Sequence, residues 1–520
     1  MPLGIDFGTT RTVVAHADRG NHPVVDFVDA FGDSVGFIPS VVAERAGELR
    51  FGLDAQAVAE DPSFTILRSF KRILSGPGAG PRDTVAVGST TLTVAGLVAS
   101  FLAHVRKALF ERSNLRRKRL SDGDLSVTVG VPANAFAAQR LMTLDAFREA
   151  RFTVGAMLNE PSAAGFEYAH RHRTTLTSRR DLVVVYDLGG GTFDASIVRM
   201  SGRHHDVLAT AGVARLGGDD FDTVLADLGL RMAGVAAEEL SPRVAAQWLS
   251  HCRAAKEALR PSSRKITLDL DGMLGPRAPV PELTLPTAAY YEACTPLIER
   301  SLEAMSPLMA RAESEASREL DEIAGVYVVG GASELPVVGR LLRERFGRRL
   351  HRSPYPSAAV AIGLSIAGAE PDDFQLVDRC SRTFAVFREA DEGREIVLDP
   401  IFTRDTVFSG GGAPMSASRW APQRRTYRAA HNVGHYRFFE CSEVDDRGKP
   451  KGDMSLCGDV LFPFDALLSG EKDLSAVPIE RRGEQGPRIV EEYSLDDNGI
   501  VRVVIRNADS GYERTYRLGG

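Results

Sequence analysis

Two stretches of the chain set an aspartate at the end of an apolar strand and follow it with residues that carry little or no side chain. In LGIDFGTTRTVVAHA, Asp6 precedes Gly8, Thr9 and Thr10; in VVVYDLGGGTFDASIV, Asp187 precedes Gly189, Gly190, Gly191 and Thr192. Backbone N–H groups converge on a phosphate only where no bulky side chain holds it off, and a tight turn between strands aims several amides at one anion. A carboxylate beside such a turn repels a bare phosphate, so its role is to hold a cation, or the water shell of one, that bridges to the phosphates. The combination describes a metal-nucleotide site. One such hairpin reads equally well as an ordinary buried turn. Two of them predict two similar lobes, each offering a strand-turn-strand unit to a shared cleft. No G-x-x-x-x-G-K-[ST] occurs, which excludes a Walker-type phosphate cradle.

These hairpins need a scaffold, and the chain is long enough to supply one. Its 520 residues, 43% hydrophobic, are enough for two to four globular domains. A net charge of -6 provides no basic field for tracking nucleic acid, and neither nucleic acid nor a membrane is an expected partner. The basic run RSNLRRKRLSDGD, from Arg112, reads as a solvated connection between an amphipathic helix and a strand. Five cysteines (Cys252, Cys294, Cys380, Cys441 and Cys457) are odd in number and contain no C-x-x-C, so they read as reduced, packed thiols. MPLGIDFG has no signal-peptide character and no apolar run reaches membrane-spanning length, so the expected location is cytoplasmic.

Up to about Gly368, Val/Ile/Ala-rich strands alternate with long helical patterns; beyond it come short alternating runs with turn dipeptides. The expected division is an α/β part over 1–370, a linker over 371–378 and an all-β part over 379–520. Leu376 and Val377 argue against a purely solvated tether. Asp497-Asn498-Gly499 and Asp509-Ser510-Gly511 mark hairpin turns, with Val501, Val503 and Ile505 alternating against Arg502 and Arg506. The last strand pattern ends at Leu518, so no helical lid is expected after it.

The motifs IDFGTTRT, FKRIL, VGVPANAFAAQR, NEPSAAGFEYA, VYDLGGGTFDASI, RLGGDDFD, VYVVGGASELP and AVAIG stand in the order and spacing of the seventy-kilodalton heat-shock chaperones. Over about 370 residues the chain resembles these DnaK-like proteins, members of the actin, hexokinase and chaperone ATPase superfamily. The resemblance implies an α/β two-lobed, actin-like ATPase domain followed by an all-β sandwich, with ATP or ADP and Mg2+ as ligands. It makes Gly8, Thr9 and Thr10 the first phosphate loop, and Gly189, Gly190, Gly191 and Thr192 the second, with Thr192 in the catalytic group. Asp6 and Asp187 would bind magnesium through water. Lys71 would touch the γ-phosphate and the attacking water, and Glu160 and Asp187 would orient that water. Gly330, Gly331 and Lys256 would contact adenosine. Lys256 is expected on the face of its helix opposite Ala245, Trp248, Leu249, Cys252 and Leu259, with Ser241 as cap and Pro242 in the first turn. Pro132 and Arg140 match a proline switch and an arginine relay toward the linker.

The adenosine end departs from the pattern. Arg253 and Arg260 stand where relatives carry an acid and a small hydroxyl residue, Glu257 and Glu334 where many sandwich adenine between arginines, and Ser357 where an acid is usual. The β-part resembles a peptide-binding sandwich, with Phe384 and Phe387 as pocket candidates or core aromatics. The expected function is an ATP-hydrolysing chaperone that binds unfolded or extended polypeptides, with a J-domain co-chaperone and a nucleotide-exchange factor as candidate partners. A sugar- or acetate-type kinase of the same superfamily and a nucleotide-sensing scaffold without turnover are the alternatives.

Overall fold

The computed structural model describes residues 2–118, 125–172, 176, 180–202, 204–274, 280–315, 323–369, 375–410, 422–445, 448–483 and 486–519. Each lobe is built on one mixed sheet. In the first, the order is Phe152–Asn159, Leu125–Val131, Leu3–Phe7, Arg11–His16, Ile38–Pro39; in the second it begins Leu350–Arg352, Ile323–Val329, Leu182–Leu188, Phe193–Ser201, His204–Val213. In both, the central strand pairs parallel on one side and antiparallel with its own hairpin partner on the other. Leu182–Leu188 is buried at every position, as an unbroken apolar run flanked by helices requires.

The two central hairpins have the same register. Phe7 lies opposite Thr12 and closes the turn at Gly8–Arg11; Leu188 lies opposite Phe193 and closes the turn at Gly189–Thr192. Helices Glu160–Arg171 and Ala359–Ala369 share a core with both sheets, where Ala163, Ala164, Val13, Val185, Leu364 and Ile366 meet, so they join the lobes beneath the cleft. Among the described residues no helix is long and apolar enough to cross a membrane. The basic run after Arg112 is partly folded: Asn114–Lys118 forms a short 3-10 helix, Leu115 is buried, and Arg112 pairs with Asp54 at 2.6 Å. Residues 119–124 lie outside the described residues.

Residues 371–374 of the expected linker also lie outside them. From Gln375 the chain enters the second lobe as strand Gln375–Arg379, parallel to His204–Val213, with Leu376 and Val377 buried. Strand Val407–Gly410 pairs with it and completes a seven-stranded sheet. The all-β part is two four-stranded antiparallel sheets, ordered Glu395–Phe402, Thr383–Ala390, Val433–Val444, Pro450–Pro463 and Gln423–Arg428, Arg488–Leu495, Val501–Asn507, Glu513–Arg517. Phe384, Val386, Phe438, Phe462, Tyr493, Val503 and Ile505 fill the space between them. Phe384 is therefore core, whereas Phe387 is only half-buried against Phe439, with ring centroids 4.4 Å apart. The turn at 497–499 forms as its residues predict, with Gly499 at φ 70° and Gly499 N–H donating to Asp496 O at 2.8 Å.

Candidate active site: two glycine turns face to face

The cleft between the lobes encloses about 590 Å³, and its lining includes Asp6, Gly8, Thr9, Thr10, Lys71, Glu160, Asp187, Gly189, Gly190, Thr192, Lys256, Gly330 and Gly331. Gly191, the remaining residue expected at the site, is buried directly behind this wall. The need for glycine at 190 and 191 follows from the geometry. A Cβ on Gly190 would sit 2.6 Å from the Thr10 side chain, and one on Gly191 would sit 2.7 Å from the Thr9 side chain. The two turns are pressed together, and only hydrogen at these positions lets them meet. Gly330, at φ 86°, approaches as closely: a Cβ there would meet Leu188 O at 2.3 Å and Asp187 Oδ1 at 2.5 Å.

Each turn is braced from outside. Ser40 Oγ donates to Gly8 O at 2.8 Å and Ser40 N to Thr10 O at 3.0 Å. On the second turn, Gly189 N donates to Thr192 O at 3.0 Å, while Gly218 N and Asp219 N donate to Gly189 O and Gly190 O at 3.0 and 2.8 Å. The RLGGDDFD motif thus supports the second turn from behind.

Below the turns Lys71 is 3% exposed, and its ammonium donates to Glu160 Oε1 at 3.0 Å and lies 5.3 Å from the Phe7 ring. Glu160 heads helix Glu160–Arg171, with Pro161 in the first turn. Burial, with Glu160 nearby, holds the Asp6 carboxyl well above its usual range, and Lys71 offsets only part of this. Asp187 is raised well above its ordinary value, by burial first and then by Glu160, Asp194 and Asp6. Asp194, which no motif reading singled out, is pushed up to about 7, by burial and then by Glu160, although Asn134 N–H and the Thr192 hydroxyl act to lower it.

Three buried carboxyl groups and the partly buried Asp6 therefore face one ammonium, an imbalance that a divalent cation would correct. Among the described residues no group of three or more His, Cys, Asp and Glu forms a protein-only metal cage. A cation here would take its remaining ligands from water and phosphate.

The end of the cleft expected to take the nucleoside is lined by side chains. Helix Pro242–Glu257 is capped by Ser241 Oγ, which accepts from Val244 N at 3.3 Å, and it buries Trp248 and Cys252. Lys256 is not opposite this stripe. It follows Cys252 by one helical turn and points into the cleft, donating to Gly218 O at 2.9 Å and pairing with Asp222 at 2.6 Å. Ala245 is exposed, and the helix ends before Leu259. Arg253 is neutralised by Asp219 at 2.5 Å and Asp222 at 2.7 Å. Arg260 donates to Glu257 O and Leu259 O, each at 3.1 Å, and so closes the helix C-terminus.

Arg140 is buried and donates to Asn159 Oδ1 and, at 3.4 Å, to Asn498 O in the β-part. Asn159, the residue before Glu160, donates to Asp378 Oδ2 at 2.8 Å, and Ser162 donates to the same oxygen at 3.3 Å. The strand at 375–379 is thus bonded to the residues flanking Glu160. Pro132 ends strand Leu125–Val131 beside this network, where Ala135 N donates to Pro132 O at 3.1 Å.

The profile of the family described as Hsp70 protein matches residues 84–389. Chaperone protein HscA of Serratia proteamaculans is 36% identical over 402 residues, covering 73% of this chain and 60% of that protein. The Chaperone protein HscA homolog of Colwellia psychrerythraea is 32% identical over 394 residues, with the same shares. Chaperone protein HscA of Escherichia fergusonii is 33% identical over 394 residues, covering 72% of this chain and 60% of that protein. The chain spans about 60% of the length of the curated relatives it matches.

Proposed function

The chain belongs to the Hsp70 family, whose ATPase domain is actin-like, and from that premise we propose that it is an ATP-hydrolysing chaperone whose nucleotide state governs binding of unfolded or extended polypeptides. The single observation that carries this reading is the meeting of the two glycine turns above the Lys71–Glu160 pair, inside a ring of buried acids.

In this reading the two turns hold the ATP or ADP phosphates, and Gly330, Gly331 and Lys256 face the nucleoside. Asp6 and Asp187 would hold Mg2+ through its water shell, and the ion would supply charge neutralisation on the phosphates. Lys71 donates to the γ-phosphate and the attacking water, Glu160 fixes the Lys71 ammonium, and Asp187 and Thr192 orient that water. The loose transition state of phosphoryl transfer makes positioning and charge neutralisation the larger contributions to rate, with proton abstraction secondary.

Residues 1–370 form the nucleotide-binding unit, 371–378 the linker and 379–520 the polypeptide-binding unit. The Glu160–Asn159–Asp378 connection gives nucleotide state a route to the linker strand. A J-domain co-chaperone and a nucleotide-exchange factor are the partners such a cycle uses. A cytoplasmic location fits five free cysteines.

The test is ATP turnover with and without a reduced, unfolded polypeptide. Hydrolysis that the polypeptide stimulates is expected. Turnover indifferent to it, or phosphorylation of a sugar or acetate, would contradict the proposal.

A further inference from the structure

A second chamber, of about 310 Å³, adjoins the cleft. Arg11 and Glu257, whose side chains meet at 2.7 Å, line both spaces and stand between them. The first lobe gives the chamber an apolar wall of Phe31, Val35, Phe37 and Leu53. Helix Pro242–Glu257 of the second lobe adds Ser250, Arg253 and Ala254. The space is about twice a cavity that holds one benzene ring, and it falls at the lower end of the range for small-ligand pockets.

The apolar wall is set in advance. Phe31 is 79% exposed, yet its backbone is fixed: Asp29 Oδ1 accepts Phe31 N–H at 2.8 Å and Asp33 N–H at 2.9 Å, and Asp29 N donates to Asp33 O at 2.9 Å. A phenyl ring held at the rim by a built turn gives an entering ring a surface to pack on.

The charges around the chamber do not cancel. Arg11 is paired with Glu257, Arg253 is answered by Asp219 and Asp222 at 2.5 and 2.7 Å, and Asp29 Oδ1 is engaged by its own turn. Arg68 remains. It ends strand Thr65–Arg68, half-buried, and among the described residues no carboxylate pairs with it; its Nη1 donates to the neutral Gln56 Oε1 at 3.1 Å. Burial, with Arg253 close by, pulls Arg68 down to about 10 although Glu257 acts the other way, so the group is charged at neutral pH and poorly solvated. A planar guanidinium with unused donors is matched by a carboxylate, and an anion that reaches it relieves a half-buried charge. A dianion would bring its second charge up to Asp29 and Glu257, so a monoanion is the better match.

We propose that this chamber is a binding site for a small aromatic carboxylate of about two fused rings: the carboxylate meets the Arg68 guanidinium, and the rings pack against Phe31, Val35 and Leu53. The site is separate from the cleft proposed for the nucleotide and does not rest on that reading.

The test is equilibrium dialysis of the full chain against 2-naphthoate, with 2-naphthamide as its neutral counterpart. The acid should bind with a Kd of about 100 μM or tighter, which is ordinary efficiency for a ligand of this size. The amide should bind about tenfold or more weakly, because it lacks the charge-assisted pair. Arg68→Gln should weaken retention of the acid about tenfold for the same reason. Phe31→Ala, at an exposed position where folding is not at stake, should weaken it about threefold or more. Added salt should weaken the acid and leave the amide unchanged. Saturating ADP should leave the acid within about threefold of its affinity alone, because the two spaces are divided. No retention at about 1 mM, equal affinity for acid and amide, or Arg68→Gln and Phe31→Ala chains that bind the acid as the parent does would overturn the site. Displacement of the acid by ADP would put the probe in the cleft and overturn it as well.

Discussion

The two ends of the cleft are built from different materials. At the end proposed for the phosphates the wall is backbone: Gly190 and Gly191 lie against Thr10 and Thr9 with no room for a methyl group, and Glu160, Asp187, Asp194 and Lys71 around them are buried. At the end proposed for the nucleoside the wall is long charged side chains, with Arg260, Glu257 and Glu334 exposed, Arg260 bonded to the helix end and Glu257 paired across the mouth. A backbone wall admits almost no substitution, because any side chain closes it. A wall of solvated charges can be rewritten at a cost of about 1 kcal/mol or less per pair. Chemistry should therefore be rigid at one end of this molecule and recognition permissive at the other.

The comparison breaks first at Lys71. Lys71→Ala should lower single-turnover ATP hydrolysis about a hundredfold or more while leaving ATP affinity within about fivefold, because a positioned cation in a dry site acts mainly on the transition state. Quenched-flow hydrolysis beside calorimetric titration separates the two quantities.

Gly191→Val comes next. Its side chain would enter the space of Thr9 and drive the turns apart, so ATP and GTP affinities should fall together by about tenfold or more. A loss confined to one nucleotide would show that this turn reads the base.

Glu440 offers a smaller effect away from the cleft, useful for separating the buried acids of the site from a structural one. From strand Val433–Val444 it accepts Ala137 N–H at 2.9 Å at the start of helix Ala137–Glu149, beside Arg382 at 3.4 Å, and burial pushes it up from 4.5 to about 7. Between those values the folded protein holds a proton that the unfolded chain has lost, so this group's contribution to stability falls as pH rises from about 4.5 to about 7 and is level beyond. Glu440→Gln should remove that part of the pH dependence of Tm. An unchanged slope would assign the whole dependence to the cleft acids.

The smallest effect belongs to the nucleoside end. Glu334→Ala should change ATP affinity by less than about threefold, because an exposed carboxylate contributes little to binding. A larger change, seen by titration, would make that end a true recognition surface.

This contrast also marks what was legible in the sequence. The phosphate turns could be read because a backbone that must approach an anion, or another backbone, demands glycine locally, and three in a row leave an unmistakable trace. The seven-residue buried strand Leu182–Leu188 and the Asp497-Asn498-Gly499 turn were legible for similar local reasons. The pairs that organise the nucleoside end were not, because Arg11 and Glu257 are 246 positions apart and nothing beside either names the other. The helical stripe from Ala245 to Leu259 points Lys256 away from the core, whereas its spacing of four from Cys252 puts it on the cleft side. Leu376 and Val377 signalled that the segment Gln375–Arg379 is not a free tether. That Asp378 would be bonded to Asn159 and Ser162, on either side of Glu160, depends on the assembled sheet and leaves no local pattern.

The most direct test of the division is single-turnover hydrolysis of saturating ATP and of saturating GTP by the unaltered chain. Once either nucleotide is bound, the same turns, acids and Lys71 face the same triphosphate, so the two rate constants should agree within about threefold. A saturated GTP rate more than about tenfold below that for ATP would show that the base reaches into the chemistry and would contradict the account.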